Sequence, residues 1–183
     1  MPKIVDHDRY RKELLRKSFD LFAKKGYGSI SMRQIARGIG VSTGTLYHYF
    51  PSKEVLFEQL IEEITQQDII RATAEIEKLE TTDEKIKCLF NFLDREEDYF
   101  LKQVLLYVNF YQQHQNREVL KRTYQRCRDA FMESSKITDP AIASLILSVI
   151  DGILLQRAFD RQSVSLQQQG ELLAQMLSAY LDQ

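Results

Sequence analysis

The sequence predicts an all-α protein of about nine helices, and three observations favour this class. Only three prolines and seven glycines interrupt 183 residues. No stretch keeps the alternation of apolar and polar residues that a half-buried strand requires. Several segments instead begin with a capping residue and continue with apolar residues three and four positions apart, as amphipathic helices do. The length, with 44% hydrophobic and 28% charged residues, suits a globular protein with a sizeable core.

The first predicted helix runs from about Asp8 to Lys25. It ends with lysines just before Gly26, as the C-terminus of a helix prefers. One stripe of this helix is apolar or small and is expected to be buried: Leu15, Ser18, Phe19 and Phe22.

Two short helices joined by a glycine-containing turn follow between Ser31 and Lys53. Ser31 with Gln34 three residues later forms a capping-box pattern, and Ser42 is a second N-cap. Glycines 38 and 40 lie at the break between the two helices, and Pro51 ends the second helix. This order predicts a helix-turn-helix, in which the second helix reads DNA.

The same region resembles the DNA-binding domain of the TetR family of transcriptional regulators. The segment RKELLRKSFDLFAKKGYGSISMRQIA is similar to the family's first helix, its Gly-Tyr exit and the start of its second helix. The segment GVSTGTLYHYFPSKEVLFEQL is similar to the recognition helix, the Tyr-x-Tyr-Phe sequence and the Lys-Glu start of the fourth helix. The resemblance covers about residues 8 to 60.

The resemblance implies a DNA-binding domain over residues 1–52 and an effector-binding and dimerisation domain over residues 53–183. It implies a sequence-specific transcriptional regulator, favours a ligand-responsive repressor, and predicts a homodimer on double-stranded DNA with a nearly palindromic operator. The alternative is a TetR-like protein whose C-terminal body binds a protein partner in place of a small molecule.

Carried over position by position, the family pattern assigns contacts with DNA. Ser31 and Lys53 are expected to bind phosphates, and Arg33 to reach a phosphate or a base. The entry of the recognition helix is expected to face base edges, and the aromatic residues after it to contact phosphates, sugars or thymine methyl groups. The complete set is Ser31, Arg33, Thr43, Gly44, Thr45, Tyr47, His48, Tyr49 and Lys53. Many relatives carry a long basic residue where this chain has Thr43, so the target sequence stays open.

Charge divides at the end of this motif. Residues 1–53 contain 11 lysines and arginines against 4 acidic residues, whereas residues 54–183 contain 14 against 22. The net charge of −1 therefore hides a basic head and an acidic body, as expected for a head that binds the phosphate backbone.

Beyond the motif, a fourth helix is predicted from about Lys53 to Glu80 with Ser52 as its N-cap. Later helices are predicted to start at Thr81, near Glu97, and at Asn116, Asp139 and Ser165.

The segment from Asp139 to Asp160 is apolar on nearly every side, which favours packing against both its own core and a second subunit. The alternative is a helix buried at the centre of the body. TetR-like proteins dimerise through their last two long helices, and the predicted interface comprises Ile146, Ile150, Leu154, Leu173, Leu177 and Tyr180.

Aromatic residues in the body suit a pocket for a small-molecule effector. The predicted ligand-binding residues are Tyr107, Phe110, Tyr124, Phe131 and Arg157. The simpler alternative makes the aromatic residues plain core and pairs Arg157 with Asp160 or Asp151.

Other functional classes are not favoured by the sequence. The three histidines match no catalytic or metal-binding spacing, so we expect no catalytic residue, no metal and no cofactor. The polar N-terminus lacks a signal peptide, and the apolar run from Ala141 to Leu155 is too short for a membrane span, so a cytoplasmic protein is expected. Cys88 and Cys127 are expected to be reduced thiols, although a redox role stays open.

Overall fold

The computed structural model describes residues 6–114 and 117–181, and across these ranges it contains nine helices and no strand. The all-α prediction is confirmed. The helices are α1 (His7–Lys25), α2 (Met32–Ile39), α3 (Thr43–Tyr49), α4 (Lys53–Ile76), α5 (Thr82–Arg95), α6 (Glu97–Gln113), α7 (Glu118–Ser135), α8 (Pro140–Phe159) and α9 (Leu166–Leu181). The predicted helix start at Asn116 lies outside the described residues.

Side-chain caps fix the starts of α2, α3 and α4, as the sequence predicts. Ser31 and Gln34 form the complete capping box of α2, and the Ser42 hydroxyl accepts a hydrogen bond from the Thr45 amide. The Ser52 hydroxyl likewise accepts from the Val55 amide at the start of α4. These bonds satisfy amides that have no partner within the helix, which is why the boundaries could be read from the sequence.

The chain divides into two compact units. Unit 1 comprises residues 6–67, 106–114 and 117–123, and unit 2 comprises residues 68–105 and 124–181. The predicted functional division at residue 53 differs from this one, because the first part of α4 and the end of α6 pack with the head.

Unit 1 is built on α1, which packs against α2, α3 and α4. Phe22, Leu46 and Phe50 are completely buried. On the outer side of α1, Arg16 and Lys12 pair with Glu63 of α4, at 2.7 and 3.6 Å, and Arg11 donates two hydrogen bonds to the Gln59 side chain. These contacts hold the first helix of the head against the fourth.

Unit 2 has its own apolar core, to which α5, α8 and α9 contribute most of the buried side chains. Helix α9 packs closely on α5 at Gly170, where an added Cβ would lie only 2.6 Å from the Cβ of Phe90. The lack of a side chain at Gly170 is therefore what permits this approach.

Helix α8 corrects two sequence-based interpretations. Its 20 residues extend beyond the apolar run, so by length and composition alone it could cross a membrane, although core helices of soluble proteins pass the same test. The predicted dimer residues Ile146, Ile150, Leu154, Leu173 and Leu177 are all buried in the core of the same protomer. Because α8 is apolar all round, its sequence could not identify which side faces that core.

Of the predicted interface residues, Tyr180 is exposed, at 62% of its surface. It belongs to a stripe of exposed apolar side chains on the outer sides of α8 and α9, which we call the outer stripe: Leu145, Leu155, Phe159, Leu172, Met176 and Tyr180. The outer stripe is the surface of these two helices that remains available for a second subunit.

Candidate nucleic-acid interface

The backbone of the predicted helix-turn-helix is held by its own hydrogen bonds. Gly40 adopts a left-handed conformation, with φ of 78°, and its amide donates to carbonyls at the end of α2. Val41 then donates to the Ala36 carbonyl at 2.9 Å. A left-handed residue followed by a return bond ends α2 within one turn and lets α3 begin at Thr43.

The entry of α3 presents small residues. Gly44 is exposed, and Thr43 and Thr45 are half-buried. The Thr45 hydroxyl lies 2.8 Å from the Ser42 hydroxyl, which fixes its orientation. A helix start with so little side-chain volume can come close to base edges, which is the geometry of a recognition helix in the major groove.

The aromatic residues at the end of α3 divide between solvent and the head. Tyr47 is 50% exposed and His48 is also exposed, whereas the neighbouring Leu46 and Phe50 are buried. The Tyr49 hydroxyl lies 2.8 Å from Nδ1 of His7, and its ring packs edge-on against Tyr10. Sequence reasoning missed His7, because its partner lies 42 positions along the chain.

The remaining predicted DNA-binding residues are placed as follows. Arg33 is exposed on α2, and Ser31 is exposed at its start, but the Ser31 hydroxyl and amide both interact with the Gln34 side chain. Lys53 is half-buried; its ammonium donates to the Tyr27 carbonyl at 2.7 Å and lies 4.4 Å from the centre of the Tyr27 ring. Burial lowers the pKa of Lys53 from its ordinary value.

The basic charge of the head therefore has two uses. The positive side chains of Arg11, Lys12 and Arg16 are engaged with Gln59 and Glu63 of α4. Other positive side chains of the same unit are exposed and can act on DNA through the field of the surface: Arg9, Lys24, Lys25, Arg33 and Arg37.

The five predicted effector residues do not lie in one unit. Tyr107 and Phe110 belong to unit 1, where Phe110 is completely buried and stacks on Phe57 with 4.4 Å between ring centres. Tyr124, Phe131 and Arg157 belong to unit 2, and Phe131 is part of its apolar core.

Arg157 forms an ion pair, but neither of the two partners considered from the sequence is correct. Its guanidinium donates to both carboxylate oxygens of Glu97, at 2.5 and 2.9 Å, and to the Val164 carbonyl. This bidentate pair lowers the pKa of Glu97, and it leaves the Arg157 guanidinium already paired and not available to an acidic ligand.

Two carboxyl groups of unit 2, Asp68 and Asp151, bind polar side chains in contacts that were not predicted from the sequence. Asp68 accepts hydrogen bonds from Tyr99 and Gln103, and Asp151 accepts one from the Tyr124 hydroxyl. Burial raises the pKa of both carboxyl groups, and burial with these nearby carboxylates raises the pKa of the Cys127 thiol to about 12. An aspartate inside an otherwise apolar run, as at Asp151, is the signal that could have identified them.

An exposed recognition helix on a small basic helical unit defines a helix-turn-helix DNA-binding protein. Residues 14–60 match the family model described as bacterial regulatory proteins, tetR family. These residues form a DNA-binding domain of the TetR family, and the resemblance recognised in the sequence is confirmed over this region.

Full-length and partial relatives agree with this assignment. The transcriptional regulator BetI of Rhizobium meliloti is 25% identical over 99% of this chain and 94% of its own length. The transcriptional repressor KstR2 of Mycolicibacterium smegmatis is 36% identical, over 38% of this chain and 37% of its own. The solved FadR of Bacillus subtilis, in complex with stearoyl-CoA, has the same fold, with a TM-score of 0.67, 22% identity and coverage of 92% and 97% of the two chains. All three are named as transcriptional regulators or a repressor.

Proposed function

We propose that this protein is a cytoplasmic, homodimeric repressor that binds a nearly palindromic operator and releases it when a small molecule binds its body. The observation that carries the proposal is the exposed, small-residue entry of α3, held by the Ser42 cap on a basic unit. A second subunit related by two-fold symmetry would present a second α3 about 34–36 Å away, in the next major groove.

The assigned DNA contacts remain the nine residues carried over from the family. Thr43, Gly44 and Thr45 would read base edges, and Arg33 and Lys53 would bind phosphates or, for Arg33, a base. Tyr47 and His48, which are exposed, would pack on sugars and phosphates, together with Ser31 and Tyr49.

An effector would act by preferring the conformation that binds the operator poorly. The comparison with a FadR that holds stearoyl-CoA supports a small-molecule effector. No observation on the chain or its relatives favours a protein partner in its place. Of the predicted effector residues, Tyr124 stays the strongest, since it is partly exposed and its hydroxyl is bonded to a half-buried carboxyl group. The ion pair with Glu97 makes Arg157 the weakest.

Selection from a random oligonucleotide pool tests the DNA-binding part of the proposal. We expect enrichment of one inverted repeat, bound by the dimer. Gly44→Glu should abolish binding without changing the dimer, because a carboxylate at the exposed start of α3 would face phosphates and base edges. Gln175→Glu, which adds one negative charge at an exposed position outside the recognition helix, is the matched control. Recovery of no preferred sequence by the native protein would refute the proposal.

A melting assay with stearoyl-CoA, the ligand of the similar FadR, is the first test for an effector. A ligand that binds the folded protein raises its melting temperature, and an effector must also release the labelled operator. A rise in melting temperature without operator release would exclude stearoyl-CoA as the effector.

A further inference from the structure

The turn between α1 and α2 is bonded on both sides of Tyr27, entirely within unit 1. The Tyr27 amide donates to Oδ1 of Asn109, on α6, at 2.8 Å. The Tyr27 carbonyl accepts from the ammonium of Lys53, the first residue of α4, at 2.7 Å. One residue of the turn therefore links an amide side chain of α6 to a lysine that the family pattern assigns to a DNA phosphate.

Packing leaves this turn little freedom. Tyr27 is only 6% exposed, and its ring meets Phe57 and Phe110 edge-on, each with 4.9 Å between ring centres. Gly26 has a positive φ of 78°, and a Cβ there would lie 3.1 Å from Oδ1 of Asn109. Because Gly26 needs a positive φ and lies close to Asn109, the turn cannot move far without breaking the bond from the Tyr27 amide.

The link sets the position of the Lys53 charge. A free lysine side chain is flexible and loses rotamer entropy when it binds an anion. Here one of the three ammonium hydrogens is held by the Tyr27 carbonyl and the ammonium also lies over the Tyr27 ring, which leaves the other hydrogens for a phosphate. The ordering cost is thus met before DNA arrives, provided that the Tyr27 carbonyl stays in place.

We propose that Asn109 is a positioning residue for operator binding: by holding the Tyr27 amide it orients the carbonyl that places Lys53 at a DNA phosphate. This inference rests on the proposed function, in which Lys53 binds a phosphate. Helix α6, which lies outside the helix-turn-helix, would then affect DNA affinity through one atom, Oδ1 of Asn109.

Other contacts keep the end of α6 in place when Asn109 is changed. Phe110 stacks on Phe57, and Nε2 of His114 lies 3.3 Å from a carboxylate oxygen of Glu54. A substitution at Asn109 therefore removes the acceptor for the Tyr27 amide while the neighbouring helix turn stays packed in unit 1.

Operator titrations of the full-length dimer over a range of salt concentrations test the inference. The variants are Asn109→Leu, Lys53→Gln and the double variant, with Gln112→Leu as the matched control, because Gln112 is an exposed amide on the same turn of α6. Asn109→Ala replaces Asn109→Leu should the larger side chain lower the melting temperature below the assay range.

For Lys53→Gln we expect about tenfold weaker binding, and a log–log salt slope smaller by about 2 for the two half-sites. Asn109→Leu should reduce the slope in the same direction, and the double variant should be no weaker than Lys53→Gln alone, because both changes remove the same contact. The Gln112→Leu control should match the native protein.

The outcomes separate the inference from the function on which it rests. An unchanged salt slope in Asn109→Leu, or losses that add in the double variant, would overturn the role of Asn109 and leave the operator-binding function intact. An unchanged salt slope in Lys53→Gln would show that Lys53 does not bind a phosphate, and the role of Asn109 would be refuted with it. Failure of the native protein to bind any operator would refute the proposed function itself.

Discussion

At the scale of single residues, Lys85 is a buried charge with a structural task. It lies on α5, is 2% exposed, and donates its ammonium to the Ser134 carbonyl at 3.1 Å, at the end of α7, where helical carbonyls lack partners. Lys85→Ala should lower the free energy of unfolding by about 2–4 kcal/mol, because it leaves both a cavity and a buried carbonyl without a donor. Urea unfolding measures the loss.

A nearby lysine on the same helix provides the control for Lys85. Lys87 is partly exposed and pairs with Asp83 one turn earlier. Lys87→Ala should cost only about 0.3–0.5 kcal/mol, as expected for such a pair. Equal losses of unfolding free energy in the two variants would show that the burial of Lys85 does not add to its contribution to stability.

Asp151 gives a prediction that depends on pH. Burial raises its pKa above the ordinary value of 3.8, so the folded protein holds the proton more tightly than the unfolded chain. Stability from this group is therefore greatest at low pH and falls as pH rises through the window between 3.8 and the raised value. Asp151→Asn removes the half-buried charge and should raise the melting temperature at pH 7 by about 2–4 °C, and it should leave the melting temperature at pH 3 unchanged.

Calorimetry at the two pH values tests this sign. Asp129→Asn, at an exposed aspartate of α7, is the control and should change neither melting temperature. A lower melting temperature for Asp151→Asn at pH 7 would mean that the charged carboxylate stabilises the fold.

The residues of the candidate site were predictable where their partners are close in sequence. Ser31 and Ser42 bond amides three positions away, so their capping role could be read directly. The contacts of Tyr49 with His7 and of Tyr27 with Asn109 join residues 42 and 82 positions apart. No local pattern encodes such pairs, because they exist only after the helices have packed.

At the scale of elements, α8 shows how far periodicity carries a prediction. Apolar residues on every side correctly indicate a helix with more contact surface than one core requires. They do not distinguish the side that packs on the protomer's core, with Ile146 and Ile150, from the outer stripe, with Leu155 and Phe159. Which side of α8 faces the core is determined by where α5 and α9 pack.

The outer stripe leads to a prediction about assembly. Met176 is 60% exposed at the middle of the stripe on α9, between Leu172 and Tyr180. Met176→Glu should dissociate the dimer at micromolar concentration, because two carboxylates would be brought together in an apolar interface. Sedimentation equilibrium measures the mass, and operator affinity should fall with it. Gln175→Glu, exposed but outside the stripe, should leave both unchanged.

At the scale of the whole molecule, the acidic body is expected to disfavour contact with DNA, because residues 54–183 contain 22 acidic residues against 14 lysines and arginines. Replacing four exposed glutamates of unit 2 by glutamine, at Glu77, Glu80, Glu133 and Glu171, leaves the basic head untouched. Removal of four negative charges per protomer should tighten binding to random-sequence duplex DNA about threefold or more at 50 mM salt. The difference in affinity should vanish above about 300 mM salt, because charges are then screened within about 6 Å.

Operator binding should change less than binding to random DNA in that variant, because the proposed recognition contacts lie on α3, which these substitutions leave unchanged. The specificity ratio, operator over random duplex, is therefore the quantity that falls. A matched variant that exchanges four exposed glutamines of the same unit for serine, at Gln156, Gln162, Gln168 and Gln175, should keep the native ratio because no charge is lost. An unchanged ratio in the glutamate variant would mean that specificity is set by the head alone, and that the acidic composition of the body serves solubility.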